Sequence, residues 1–163
     1  PAVRMAAEAL KELGMHREGV QLIVSGGIRS GADVAKAIAL GADAVSIGTA
    51  ALIALGDNNP DLEEDYNKLG TTAGFYDEWQ AGDDPAGITT QDEKLAARLD
   101  PKKGGEKLAN YLKVLTLEAQ TLARACGKSH IRNLEPEDLN ALTLEASAMA
   151  KVPLAGTDWI PGK

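Results

Sequence analysis

The chain has 163 residues, 44% of them hydrophobic and 25% charged, and a formal net charge of −7. That length supports one domain with one core but falls short of the ~250 residues typical of a complete eight-unit (β/α) barrel. The apolar content excludes global disorder, the charge argues against nucleic acid or an anionic membrane as partner, and a single cysteine, Cys126, excludes an internal disulfide and a multi-cysteine metal site.

The chain opens at Pro1, not at methionine, directly before an amphipathic stretch, so it reads as a piece of a longer protein. Residues 1–18 form the first expected helix, with Val3, Ala6, Ala7, Leu10 and Leu13 near one face and Gly14 at its end. Gln21-Leu22-Ile23-Val24 reads as a short buried strand. It stops at Ser25-Gly26-Gly27. Ser30 and Asp33 then form a capping box for a helix through Val34, Ala37, Ile38 and Leu40, closed by Gly41. A second strand, Ala44 to Ile47, breaks at Gly48-Thr49, and Ala50 to Leu55 make one or two helical turns. Residues 1–56 thus alternate short strands with helices, the pattern of a parallel sheet with crossover helices.

Residues 57–105 are punctuated by glycine and proline, with short helices expected near Leu62–Leu69 and Glu93–Leu99. A loop-rich stretch of this length is usually functional or a contact surface. Phe75, Tyr76 and Trp79 are expected to pin it to the core. Residues 106–163 carry two expected helices. Leu108, Tyr111, Leu112, Leu115, Ala119 and Leu122 make the apolar stripe of one, ended by Gly127. Pro136 opens the other, with Leu139, Leu142, Ala146 and Met149 facing one way and Pro153 as its stop. No apolar run is long enough to span a membrane and no signal peptide is visible. One cysteine fits a reducing, cytoplasmic compartment.

The most informative residues lie just past the two strands. Ser25-Gly26-Gly27-Ile28-Arg29-Ser30-Gly31 and Gly48-Thr49 each sit between a strand end and a helix start. Glycine lets a backbone approach an oxyanion, and N–H groups at a helix start favour negative charge whatever the net charge of the chain. Barrel enzymes often bind phosphate at the loops after strands seven and eight. Gly26, Gly27, Gly48 and Thr49 are the expected cradle. Arg29 would add a charge-assisted contact, and the Ser25 and Thr49 hydroxyls would add hydrogen bonds.

The run from Ser25 to Ala37, with Gly41-Ala42-Asp43-Ala44 and Ile47 to Leu52, resembles the FMN-binding domain of glutamate synthases. The resemblance continues through Asp84-Pro85-Ala86-Gly87-Ile88-Thr89-Thr90-Gln91-Asp92, Arg98-Leu99-Asp100 and Asn110-Tyr111-Leu112, covering roughly residues 20–125. It implies an α/β fold: residues 1–56 as the last strands of a (β/α)8 TIM barrel, 57–105 as a loop-rich insertion replacing an iron–sulfur segment, and 106–163 as a helical extension. It implies FMN held at Ser25, Gly26, Gly27, Arg29, Gly48 and Thr49. It further implies an oxidoreductase forming glutamate from 2-oxoglutarate and amide-derived ammonia, working with amidotransferase-like subunits.

Glutamate synthases of this type carry three cysteines that hold a [3Fe–4S] cluster. Asp57 stands at the first of these positions and Asp84 at the third, with no cysteine between them. Carboxylates do not replace thiolates in such clusters, so none is expected here. Loss of the cysteines, with the Leu134-Glu135-Pro136-Glu137-Asp138-Leu139 ending, resembles the branch of N-methylglutamate synthase large subunits, where methylamine enters. A non-catalytic scaffold and another phosphate-binding barrel are the remaining alternatives. No catalytic residue is assigned, since groups for 2-oxoglutarate are expected on earlier strands. Lys36 reads as a surface charge, His16 and His130 as loop or capping residues, Glu118 as non-catalytic and Cys126 as a core residue.

Overall fold

Short strands and glycine-ended helices divide the chain locally, and the computed structural model, which describes residues 1–16 and 19–162, follows that division. It separates into two units, Pro1–Ile47 with Val114–Lys163, and Gly48–Lys113.

In the first unit, α1 (Ala2–Glu12) falls short of residue 18 but ends at the expected Gly14 stop, where φ is a left-handed 68° that no helix can continue. Arg17 and Glu18, assigned to this helix from the sequence, lie outside the described residues. Leu13 is exposed, so the buried face runs through Arg4 and Ala7 instead. Strand β1 (Ile23–Ser25) pairs in parallel with β2 (Ala44–Ser46), matching Ile23 with Ala44, Val24 with Val45 and Ser25 with Ser46. The register is pinned at one end by Asp43, whose backbone amide donates to the Leu22 carbonyl while its carboxylate accepts from the Leu22 amide, both at 2.8 Å.

The expectation of a fully buried first strand is corrected. Both strands alternate: Val24 and Val45 pack on the core, whereas Ile23, Ser25, Ala44 and Ser46 are exposed on the other face. Period two leaves no other outcome for a strand covered by helices on one side only.

The core gathers on α2 (Gly31–Ala39). Val34, Ala35, Ala37, Ile38 and Ala39 meet Ile28, Ala42, Ala119, Ala123 and Leu134. Burying Val34 and Ile38 stabilises the unit by ~2 kcal/mol each. Ala119 and Ala123 come from α6 (Pro101–Ala125). A Cβ on Gly31 would lie 2.5 Å from the Ala119 nitrogen and 2.6 Å from Glu118 Cβ, so glycine is required at this helix contact.

The C-terminal segment departs from expectation. Pro136–Asp138 form only a single tight 3-10 turn, and α7 (Leu144–Ala150) starts afresh under a Thr143 side-chain cap. Between them, Ala141 exchanges backbone hydrogen bonds with Pro153 and Ala155 at 2.8 Å. Those bonds hold Ala141 in an extended pairing that a continuous helix would forbid. Leu142 and Met149 are consequently exposed. Cys126 is also exposed, not a core residue.

The second unit contains α3 (Thr49–Leu55), α4 (Glu63–Lys68), α5 (Glu93–Ala96) and the first half of α6. The expected loop-rich stretch ends at Pro101, where α6 begins. Gly104 lies buried inside that helix, where a Cβ would sit 3.4 Å from the Leu55 carbonyl oxygen. Tyr76 is buried and Trp79 is hydrogen-bonded, as pinning aromatics should be, whereas Phe75 is exposed.

Candidate functional site

The first glycine corner follows β1 directly. Gly26 and Gly27 take φ values of 97° and 72°, both in the left-handed region that L side chains rarely adopt. A Cβ at either meets nothing within 4 Å, so conformation and not crowding selects glycine, and the space before these amides is open. Among the described residues neither amide forms a hydrogen bond outside the strand ladder.

The amides of Arg29, Ser30, Gly31 and Asp33 are occupied, which narrows the expected cradle. Arg29 and Ser30 donate backbone N–H groups to Asp33 Oδ2 at 3.1 and 3.2 Å, and Asp33 N–H donates to Ser30 Oγ at 3.3 Å. Gly31 donates to Glu118 Oε2 at 2.6 Å. The chain thus puts its own carboxylates at the positive end of α2. Asp33 is held below the usual carboxylate range, first by the Lys36 ammonium and also by the Arg29 amide and the Ser30 side chain, against its partial burial. A ligand anion would meet the open turn at Gly26 and Gly27 more readily than these capped amides. The Arg29 side chain is exposed. Glu118 was invisible as a capping residue, being 87 positions from Gly31.

The second corner belongs to the other unit. Gly48 has φ −124° and ψ −85°, and a Cβ there also meets nothing within 4 Å. Gly48 and Thr49 are exposed, and no side chain caps α3. Gly48 follows the last residue of β2 by two positions, as Gly26 follows the last residue of β1 by one.

Two surface concavities of about 230 Å³ each occur elsewhere, one around Tyr76, Glu78 and Asp83, the other around Arg124, Lys128 and His130. Neither is lined by corner residues. In the second, His130 caps a 3-10 turn by accepting the Arg132 amide at Nδ1, and Lys128 is paired with Glu135 and Asp138. Lys36 pairs with Asp33 at the surface, and His16 donates to the Gly41 carbonyl at 3.1 Å.

Asp57 and Asp84 are buried hubs of the second unit, 3% and 0% exposed. Asp57 Oδ2 accepts from Trp79 Nε1 at 2.6 Å and Asn58 Nδ2 at 3.2 Å; its Oδ1 accepts from the Asn58 amide at 2.8 Å and the Tyr66 hydroxyl at 3.3 Å. Asp84 Oδ1 accepts from the Ala86 amide, and Oδ2 from the Ile88 and Thr89 amides, all within 3.0 Å. Both carboxylates are consumed by the chain, and neither offers the soft donor an iron–sulfur cluster needs. Burial, then the Asp57 charge, pushes the Tyr66 hydroxyl up to about 12. Tyr76, with its ring 5.5 Å from that of Tyr66, is pushed up by burial and by Asp83.

The structure shows one parallel β–α–β step with an open glycine turn past each strand. The family model for the conserved region in glutamate synthase matches residues 1–59 and 80–129. The chain belongs to the glutamate synthase family. It is 73% identical over 161 residues to a glutamate synthase large subunit-like protein of Rhizobium meliloti, covering 99% of this chain and 36% of that protein. It is 41% identical over 133 residues to an archaeal NADPH glutamate synthase of Methanocaldococcus jannaschii, covering 82% and 23%. A shorter match, 58% over 41 residues, joins 25% of the chain to 12% of an isopentenyl-diphosphate delta-isomerase of Mycobacterium marinum. The chain therefore spans about a third or less of the length of these relatives. No solved structure matches it. Among the described residues, no helix is long and apolar enough to cross a membrane.

Proposed function

We propose that the chain forms the phosphate-binding end of an FMN site in a glutamate synthase-like oxidoreductase. The observation that supports it is the pair of left-handed glycines, Gly26 and Gly27, which form an open turn at the end of a parallel strand. Gly26 and Gly27 would hold the phosphate by N–H donation. Ser25, Arg29, Gly48 and Thr49 complete the set, through hydroxyls, charge and close backbone approach. The two strands, with one face exposed, fit the closing strands of a (β/α)8 TIM barrel whose other strands cover that face. Bound reduced flavin would supply the hydride that converts an imine of 2-oxoglutarate to glutamate. This chain's part is to anchor and orient the cofactor, not to move protons. Amidotransferase-like subunits would deliver the ammonia, and the whole would work in the cytoplasm.

No iron–sulfur cluster belongs in this reading, because Asp57 and Asp84 replace the thiolates and are already saturated. That substitution favours a second reading, in which methylamine is the nitrogen donor and the product is N-methylglutamate. Assays of the natural complex separate the two. Glutamine, 2-oxoglutarate and a reductant should give glutamate with oxidation of the flavin. Product from methylamine and glutamate, with none from the first mixture, selects the second reading. A protein without flavin and without product is a scaffold and ends both.

A further inference from the structure

The register of the sheet brings together two residues that lie 21 positions apart in sequence, Ser25 and Ser46. Each is the last residue of its strand. Val24 and Val45 point into the helix-covered core, so the two serines share the opposite face with Ile23 and Ala44. Both serines are exposed, and neither hydroxyl has a hydrogen-bond partner among the described residues. Parallel neighbours lie ~4.8 Å apart, so the hydroxyls form a pair of donor–acceptors on one surface. The inward positions of barrel strands are dominated by bulky branched residues. Two serines side by side leave that surface polar and uncrowded instead, at the strand ends from which barrel enzymes draw their ligand-facing residues.

We propose that Ser46, with Ser25, binds the polyol chain of the phosphorylated ligand whose phosphate sits on the Gly26 and Gly27 amides. The inference rests on the FMN reading and extends it to a residue outside the phosphate cradle. A phosphate held at Gly26 directs the rest of its ester back over the strand ends, where hydroxyls can both donate to and accept from a polyol. An exposed hydroxyl without a partner in this chain contributes nothing to the fold of its own unit, so its removal should act on the ligand alone.

The test uses the natural full-length protein stripped of flavin and titrated by fluorescence quenching with FMN and with riboflavin, which keeps the polyol and lacks the phosphate. Loss of one neutral hydrogen bond predicts that Ser46→Ala weakens both ligands by a similar factor, about five- to tenfold. Gly27→Ala should weaken FMN far more than riboflavin. The apoprotein melting temperature of Ser46→Ala should equal that of the wild type, and Ser46→Thr, which keeps the hydroxyl, should bind better than Ser46→Ala. Equal FMN affinity in Ser46→Ala and wild type overturns the inference while leaving the FMN reading intact. So does a loss confined to FMN, which would assign the hydroxyl to the phosphate. A wild-type protein that binds no flavin overturns both.

Discussion

Asp84 shows most plainly how a single residue can hold a loop. Its carboxylate is sealed from solvent and accepts three backbone amides from the five residues after it. Hydrogen bonds to a buried charge are worth ~1.5–3 kcal/mol each, and an abandoned buried donor is costly. Asp84→Asn retains the shape but replaces one acceptor oxygen with a donor. It should lower unfolding stability by ~3 kcal/mol in urea denaturation, and a loss below ~1 kcal/mol would contradict this role. The glycines divide differently. Gly27→Ala forces a side chain to φ 72° and should destabilise by ~1–2 kcal/mol while weakening FMN binding. Gly48→Ala meets no neighbour in this chain, so its stability should stay within ~1 kcal/mol of wild type. If Gly48 touches a phosphate, flavin affinity should fall all the same. Unchanged affinity removes it from the cradle.

At the scale of elements, legibility in the sequence followed the range of the interactions involved. The Ser30–Asp33 capping box spans four residues and appears as expected. Ser30→Ala should cost about 1 kcal/mol of thermal stability. The fate of Pro136–Val152 was not legible. Its helical spacing is real, but Ala141 pairs with residues 153–155, and long-range backbone bonds override local preference. The exposed face of the strands was hidden for the opposite reason. Three-residue strands are too short to show alternation, so Ile23 reads as buried by composition alone. The hub around Asp57 likewise depends on Tyr66 and Trp79, residues brought in by folding. It also has a pH signature. Tyr66 and Tyr76 both resist ionisation when folded, so their contribution is intact below the unfolded value of 10.0 and disappears as pH rises through the folded value, about 12 for Tyr66. In a Trp159→Phe background, Trp79 emission should report an alkaline transition in that window. A flat profile to pH 12 would show that the tyrosines are not held by this network.

For the whole molecule, the family was legible because its signature is local: glycine turns, a capping box and the Gly87-Ile88-Thr89-Thr90-Gln91-Asp92 run all lie in short stretches. The narrowing of the phosphate cradle was not, because it depends on Glu118 reaching α2 from a distant helix. With a formal charge of −7, the chain caps its own helix with carboxylates and leaves open the turn at Gly26 and Gly27. A protein built this way should carry a phosphorylated flavin there and nothing metallic at Asp57 and Asp84. The most direct measurement is the cofactor content of the natural full-length protein, by visible absorption, released-flavin chromatography and iron analysis. One FMN per chain with no iron is the predicted result; a colourless protein, or one carrying iron in stoichiometric amount, would contradict it.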